Sequence, residues 1–165
     1  MANQSRVAII TGSSRGLGKR AALTLANDGF RVVVNYKEHE QEALHVVDMI
    51  RSSGGEARAI QADVTDRGQI HRLVLATLDA WERIDVLVNN AGLASGLSPV
   101  QDGSFDDWDR MIDTNVKGLL NVTRAVLPHM IRLGRGHVVN IGSTAGRWVY
   151  PNGNVYNATK FAVRA

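Results

Sequence analysis

Short, nearly continuous apolar runs alternate along the chain with longer segments whose apolar positions recur every three to four residues. Runs of the first kind are typical of parallel strands buried on both faces, and segments of the second kind are typical of amphipathic helices. The pattern predicts five strands, at Arg6–Thr11, Arg31–Asn35, Ala57–Ala62, Ile84–Asn89 and His137–Gly142. It predicts helices at Leu17–Asp28, Glu40–Ser53, Asp66–Trp81 and Phe105–Leu133.

This alternation of strand and helix predicts an α/β fold built on a doubly wound parallel sheet. We expect one domain over residues 1–165, because no linker or repeat divides the pattern. The last long helix contains Pro128, so we expect it to form two segments or to bend there. Residues Val155–Ala165 resemble the start of a further helix, and the chain ends within that pattern. We interpret this as a truncated domain.

Composition and charge argue against several classes of protein. The 165 residues are 44% hydrophobic and 21% charged, unlike a disordered tail or a coiled coil. The formal net charge is +3 and the basic residues form no run, so we expect no nucleic acid partner. No apolar segment is long enough to span a bilayer, so we expect no membrane association. The absence of cysteine favours a reducing compartment, and we predict a cytoplasmic location.

The five histidines do not have the spacing of metal ligands, and no metal is expected.

A glycine-rich turn follows the first predicted strand and opens the first helix. Glycines permit a tight turn and a close approach of the backbone to a pyrophosphate, and the helix N-terminus offers N–H groups to phosphate. Such turns also join strands to helices without binding anything, but the strand–turn–helix context favours a dinucleotide site. The candidate residues are Gly12, Ser13, Ser14, Arg15, Gly16, Leu17 and Gly18.

The end of the second strand favours NADP(H) over NAD(H). An NAD site usually has an acidic residue there, whereas this chain has Asn35, Tyr36 and Lys37. Lys37 and Arg15 supply cations that suit a 2′-phosphate. The alternative is that both cations are ordinary solvated charges, with Glu38 as a competing ribose ligand.

Two further strand ends supply candidate nucleotide contacts. Asp63 and Val64 follow the third strand, where the carboxylate either holds adenine or caps the helix that begins near Asp66. The residues after the fourth strand lie at the crevice outside the carboxyl ends of the sheet, where nucleotides bind. These residues are Asn90, Ala91 and Gly92.

Tyr156 and Lys160 are four residues apart at the start of the final predicted helix, so both side chains share one face. A free phenol has a pKa of about 10, which a nearby cation lowers towards neutral pH, so the pair suits acid–base chemistry. Ser143 follows the fifth strand and is placed to donate to a carbonyl oxygen. Asn115 either bends the long helix and holds a water or marks a helix boundary. The alternatives are an exposed helical pair and a turn-forming serine.

In their order along the chain, Thr11–Gly18, Asn89–Gly92, Asn115, Ser143, Tyr156 and Lys160 resemble the short-chain dehydrogenase/reductase family. The resemblance implies a Rossmann-type sheet with strand order 3-2-1-4-5, its C-terminal strands missing. It also implies a catalytic tetrad. In that tetrad Tyr156 is the acid/base, Ser143 positions the substrate oxygen, Lys160 holds the nicotinamide ribose, and Asn115 supports a water.

For the cofactor, the resemblance implies that Gly12, Gly16 and Gly18 bind the pyrophosphate. Asp63 and Val64 would contact adenine, and Asn90 would lie along the nucleotide.

Two subgroups of that family resemble different segments. Val32–Tyr36 is similar to NADPH-dependent 3-oxoacyl-acyl-carrier-protein reductases. Four later segments resemble NADP-dependent 3-hydroxy acid dehydrogenases of the serine type, namely Val88–Ala94, Met111–Pro128, Asn140–Gly146 and Gly153–Lys160. These likenesses imply hydride transfer between NADP(H) and a small 3-hydroxy acid, with a 3-oxoacyl thioester as the alternative substrate.

A non-catalytic NADP(H)-binding fragment is the alternative from another class of protein. Members of the family are usually dimers or tetramers, so we also expect a homo-oligomer.

Overall fold

The computed structural model describes residues 5–165, so the first four residues of the predicted domain lie outside it. Its strands are β1 (Val7–Ile10), β2 (Arg31–Tyr36), β3 (Ala57–Gln61), β4 (Val86–Asn89) and β5 (His137–Asn140). Its α-helices are α1 (Gly16–Asn27), α2 (Glu40–Ser52), α3 (Arg67–Trp81), α4 (Phe105–Ile112), α5 (Leu119–Leu133) and α6 (Asn154–Arg164). Short 3₁₀ turns lie at Val100–Asp102 and Thr144–Gly146.

The five strands form one parallel sheet in the order β3-β2-β1-β4-β5, which confirms the predicted fold and strand order. Side chains alternate between the two faces of β1, and both faces are covered. Ile9 packs in a core cluster with residues of α3 and α5, whereas Ile10 packs in a second cluster with α1 and α2. The sheet is therefore doubly wound, and its carboxyl edge is left for a ligand.

The predicted long helix is divided, but Pro128 is not the point of division. Helix α5 continues through Pro128, and the interruption is a π-helical segment at Asp113–Gly118. Within it, the Asn115 amide bonds across to other elements, and a Cβ on Gly118 would lie 2.6 Å from Val64 Cγ2. A π-helical turn of this kind is often found at functional sites.

A buried ion pair lies at the amino edge of the sheet. Asp85 Oδ2 accepts hydrogen bonds from Arg83 Nε at 2.8 Å and from the Val7 amide at 2.9 Å. Burial alone would raise the pKa of Asp85, but the hydrogen bonds from Arg83 and Val7 outweigh it and hold that pKa below its ordinary value. Arg135 adds a more distant contact, 3.5 Å from Asp85 Oδ1. Charged groups that satisfy one another thus join β1 to β4 at this edge.

Candidate active site

The predicted site residues gather at the carboxyl edge of the sheet. The glycine-rich turn follows β1, and the other segments follow β2, β3, β4 and β5 in turn. Because all five strands are parallel, their carboxyl ends meet at one edge, which is where open α/β sheets bind ligands.

The glycine-rich turn is packed so closely that two of its positions exclude a side chain. A Cβ on Gly18 would lie 2.5 Å from Asn90 Nδ2 and 2.6 Å from the Gly12 carbonyl oxygen. Gly12 has φ +59° and would place a Cβ 3.1 Å from Ala91 Cα. Asn90 fixes this arrangement, because its Nδ2 donates to the carbonyls of Thr11 at 2.8 Å and Gly12 at 2.9 Å. The turn is therefore a backbone cradle of the kind that a pyrophosphate fits.

Buried polar groups support this cradle from below. Ser13 Oγ donates to the Ile10 carbonyl at 2.7 Å, and Ser14 is also buried. Asn35 Oδ1 accepts from the Gly12 amide at 3.1 Å, and its Nδ2 donates to the Ala62 carbonyl at 3.0 Å. Asn35 is 1% exposed, so the structure places its amide under the turn.

The outer side of the turn carries the exposed groups. Arg15 and Leu17 are exposed, and Gly16 has φ +58° with open space around it. Helix α1 has no side-chain cap and no acidic residue in its first turn. Its positive end is therefore uncompensated and suits an anion.

The ends of β2 and β3 meet through an ion pair. Lys37 Nζ lies 2.9 Å from Asp63 Oδ2, whereas Tyr36 is buried and its hydroxyl donates to Glu40 Oε1 at 3.1 Å. Burial and the bond to Glu40 raise the pKa of Tyr36. Of the three residues predicted at the end of β2, Lys37 alone is exposed.

Asp63 does not cap α3. Its Oδ1 accepts from the Thr65 amide and hydroxyl, both at 2.9 Å, and Asp66 caps the helix by accepting from the Gln69 amide. Burial would raise the pKa of Asp63, but the bonds from Thr65 and Lys37 outweigh it and lower that pKa. Of the two roles predicted for this carboxylate, the structure therefore removes helix capping.

Lys160 lies on α6 with its ammonium held inside the site. It is 8% exposed, and its Nζ donates to the Ile141 carbonyl at 3.0 Å and lies 5.9 Å from the centroid of the Tyr156 ring. Within residues 5–165, no carboxylate forms an ion pair with it, and burial lowers the pKa of Lys160. The sequence prediction that Tyr156 and Lys160 share one helix face is confirmed by this contact.

Asn115 connects α6 to the segment that follows β4. Its Oδ1 accepts from the Leu93 amide at 2.8 Å, and its Nδ2 donates to the Leu93 carbonyl at 2.8 Å and to Thr159 Oγ1 at 3.1 Å. Thr159 Oγ1 in turn donates to the Tyr156 carbonyl at 2.8 Å. Sequence reasoning missed Thr159, whose only signal is its position three residues after Tyr156.

Gly92 lies between these groups. A Cβ there would lie 3.1 Å from Asn115 Oδ1 and 3.8 Å from Lys160 Nζ. The structure thus brings Gly92, Asn115 and Lys160 together within one small volume, next to the ring of Tyr156.

Ser143 lies after β5, half-buried, and its Oγ accepts from the Ala145 amide at 3.1 Å. The hydroxyl hydrogen remains available for donation, because that bond uses only the oxygen. No hydrogen bond joins Ser143 to Tyr156 among the described residues. The two segments pack through Gly146, where a Cβ would lie 2.5 Å from the Lys160 carbonyl oxygen.

Comparison with known proteins decides the family. The family model described as short chain dehydrogenase matches residues 6–165. The chain belongs to this family. The resemblance predicted from the motifs is thereby confirmed.

Individual relatives agree with both predicted subgroups. The chain is 44% identical to NADP-dependent 3-hydroxy acid dehydrogenase YdfG of Salmonella typhi over 159 residues, covering 96% of this chain and 62% of that protein. It is 42% identical to 3-oxoacyl-[acyl-carrier-protein] reductase of Synechocystis sp., covering 96% of this chain and 64% of that protein. The chain therefore spans less than two thirds of the length of these relatives.

A solved structure of similar fold is a metagenomic short-chain oxidoreductase in complex with NADP. Its TM-score is 0.92 and its identity 35%, over 98% of this chain and 73% of that one.

Residues 5–165 contain neither a candidate membrane-spanning helix nor a candidate metal-binding group of side chains. No helix there combines the length and apolar character needed to cross a membrane. No group of three histidine, aspartate or glutamate side chains is close enough to hold a metal ion.

Proposed function

We propose that the chain carries the nucleotide-binding and proton-transfer machinery of an oxidoreductase that acts with NADP(H) on a carbonyl or secondary alcohol. One observation carries the proposal. Tyr156, Lys160 and Asn115 meet beside Gly92, at the same sheet edge as the glycine cradle. The substrate class we propose is a small 3-hydroxy acid. That proposal is supported by the 44% identity to a relative named for this activity.

The cofactor would be held by residues at the ends of β1 to β4. The amides of the glycine-rich turn and the uncompensated start of α1 suit the pyrophosphate, and Arg15 and Lys37 suit a 2′-phosphate. Asp63 and Val64 would contact adenine, and Asn90, Ala91 and Gly92 would line the path towards the nicotinamide. NADP(H), when bound, supplies or accepts the hydride.

The chain's own residues would handle the substrate oxygen and its proton. The Tyr156 hydroxyl would donate a proton to that oxygen during reduction and accept it during oxidation. Ser143, whose oxygen is already bonded to the Ala145 amide, would donate its hydroxyl hydrogen to the same atom.

Lys160 and Asn115 would act beside that proton transfer. The Lys160 ammonium, directed by the Ile141 carbonyl, would hold the nicotinamide ribose. Asn115 uses both amide hydrogens on protein atoms, which leaves one lone pair of Oδ1 for a water. Its larger contribution would be to fix α6 through Thr159.

The test is a Tyr156→Phe variant, assayed with small 3-hydroxy acids and NADP⁺, and with a 3-oxoacyl thioester and NADPH. We expect at least a hundredfold loss of turnover, because general acid–base catalysis contributes about 10²–10⁴-fold. NADPH affinity should change by less than about twofold.

Tyr150→Phe is the matched control, since Tyr150 is exposed and has no lysine four residues later. Retained turnover in Tyr156→Phe would contradict the role given to this hydroxyl. Absence of turnover by the unmodified chain with every substrate would favour the alternative, a non-catalytic NADP(H)-binding fragment.

We also propose self-association through the surface of α4 and α5. Apolar side chains there are exposed, including Phe105 at 75%, Leu120 at 59% and Ile131 at 75%. Exposed apolar patches mark interaction sites when they are contiguous. Light scattering should give a mass of at least two chains, which Ile131→Lys should lower towards one.

A further inference from the structure

The cation at the end of β2 is already paired with the residue placed for adenine. Lys37 Nζ lies 2.9 Å from Asp63 Oδ2 and 3.9 Å from Glu38 Oε1. The other oxygen of Asp63 is fixed by two hydrogen bonds from Thr65. The Asp63 side chain is 19% exposed and that of Lys37 is 61% exposed, so the carboxylate is the fixed partner and the ammonium the adjustable one.

Arg15 differs from Lys37 in this respect. Within residues 5–165, no carboxylate forms an ion pair with Arg15, which is exposed at the start of α1. A 2′-phosphate would therefore meet one unopposed cation and one cation shared with two carboxylates. The two cations are not equivalent, although the sequence presents them as a matched pair.

We propose that Asp63 limits the discrimination between NADPH and NADH by holding Lys37, because a 2′-phosphate must compete with this carboxylate for the ammonium. The inference rests on the proposed cofactor assignment. It makes Asp63 a specificity-determining residue as well as a candidate adenine contact. Removing the charge of Asp63 should strengthen the preference for NADPH, because the 2′-phosphate would no longer compete with Asp63 for Lys37.

The two roles of Asp63 can be separated, because NADH and NADPH carry the same adenine. Loss of an adenine contact weakens both nucleotides by the same factor and leaves the ratio of their dissociation constants unchanged. Release of Lys37 affects only the nucleotide that has a 2′-phosphate. A change in the ratio Kd(NADH)/Kd(NADPH) therefore cannot come from loss of an adenine contact, and the Lys37→Met background separates release of Lys37 from direct repulsion of the 2′-phosphate by Asp63.

The expected effect is modest, since solvent-exposed ion pairs have small coupling. We expect Asp63→Asn to raise the ratio roughly threefold, within the range of about one- to fivefold typical of such pairs. Lys37→Met should lower the ratio by less than Arg15→Met does, because Lys37 is partly neutralised before the nucleotide arrives.

The experiment is a fluorescence titration of NADPH and NADH with the unmodified chain, Asp63→Asn, Lys37→Met and the double variant. The ratio should rise in Asp63→Asn but stay constant when the same change is made in the Lys37→Met background. Glu38→Gln is the matched control, because its carboxylate is 3.9 Å from the ammonium and its loss should change the ratio by less than about twofold.

Several outcomes would overturn the inference. A constant or lower ratio in Asp63→Asn would do so, and so would an equal rise in the Lys37→Met background, which would indicate repulsion at a distance. If the unmodified chain binds neither nucleotide, both this inference and the cofactor assignment fail. If it prefers NADPH and the ratio is unaffected by Asp63→Asn, this inference alone fails.

Discussion

Different kinds of side chain bond the polar backbone groups at the two edges of the parallel sheet. At both edges the strands end with polar backbone groups that need partners once they are buried. At the amino edge, the partners are ionised side chains, with Asp85 bonded to Arg83 and to the Val7 amide. At the carboxyl edge, Asp63 bonds the Thr65 amide at the end of β3, but around the glycine cradle and α6 the partners are the neutral amides of Asn35, Asn90 and Asn115.

This difference indicates how a fold can satisfy backbone groups near an anion site without adding negative charge there. An amide side chain both donates and accepts, so it satisfies backbone groups without adding charge. A carboxylate such as Asp85 placed under the glycine cradle would repel a pyrophosphate. Arg15 lies within the glycine-rich turn and Lys160 Nζ lies 5.9 Å from the centroid of the Tyr156 ring, so each of these two places has a cation. We therefore propose that the amino edge serves stability and the carboxyl edge serves binding.

Asp85→Asn should break the amino edge with the largest effect on stability. The change breaks the buried ion pair between Asp85 and the Arg83 guanidinium, which costs about 3–5 kcal/mol of unfolding free energy. Urea denaturation at pH 7 measures this loss. NADPH affinity of the folded variant should stay within about twofold, and a loss of affinity larger than the loss of folded protein would contradict the separation of the edges.

The stability lost in Asp85→Asn should also depend on pH. Because the folded-state pKa of Asp85 lies below its ordinary value of 3.8, the stabilisation is present above that value and is lost as pH falls through the folded-state pKa. The stability difference between the unmodified chain and Asp85→Asn should therefore shrink in acid. A difference that stays constant down to the pH of acid unfolding would show that the carboxylate charge is not what stabilises this edge.

Asn115→Ala should destabilise the carboxyl edge, with a smaller loss of unfolding free energy than Asp85→Asn. It removes three hydrogen bonds and leaves the half-buried Leu93 amide without its acceptor, so we expect a loss of about 2–3 kcal/mol. Asn121→Ala is the control, since it loses one bond to the Val64 carbonyl and should cost about 1 kcal/mol. Equal losses in the two variants would argue against a special role for the π-helical segment.

Gly18→Ala should weaken both NADPH binding and stability. The new methyl group would lie 2.6 Å from the Gly12 carbonyl oxygen, which forces the cradle to shift. We expect at least a tenfold loss of NADPH affinity, with a stability cost of about 1–3 kcal/mol. Gly68→Ala on α3 is the control, because its nearest neighbours are side-chain atoms and a helical alanine is favourable. Unchanged NADPH affinity in Gly18→Ala would contradict the pyrophosphate site.

The smallest expected effect is the pH response of Lys160. Burial lowers its pKa below the ordinary 10.5, so the charged form opposes folding at pH values below the folded-state pKa. That cost diminishes as pH rises from the folded-state pKa towards 10.5. Stability relative to Lys160→Met should therefore increase with pH in this alkaline range, with a slope below about 1.4 kcal/mol per pH unit. A relative stability that falls with pH would contradict this sign.

The sequence predicted best what depends on neighbouring residues. The strand, glycine turn and helix over Val7–Asn27 are encoded by apolar runs and by glycines at fixed spacing, and the structure has them within one or two residues. The Tyr156–Lys160 pair was likewise predictable, because helical periodicity alone places both side chains on one face.

The structural features that were not predicted from the sequence depend on contacts between residues far apart in the chain. Asn115 was predicted to bend or bound the long helix, and the interruption lies there, but its contacts with Leu93 across 22 positions and with Thr159 across 44 follow from no local pattern. The division or bend expected at Pro128 was wrong, because α5 continues through that residue. The burial of Asn35 beneath the cradle and the pairing of Lys37 with Asp63 arise only when β1, β2 and β3 are side by side.

The most direct test of the central claim is a parallel titration of the unmodified chain with NADPH and NADH, followed by nucleotide fluorescence. We predict saturable binding of both nucleotides, with NADPH bound at least tenfold more tightly because of Arg15 and Lys37. Equal affinities would contradict the 2′-phosphate assignment, and the absence of binding by either nucleotide would contradict the carboxyl edge as a dinucleotide site.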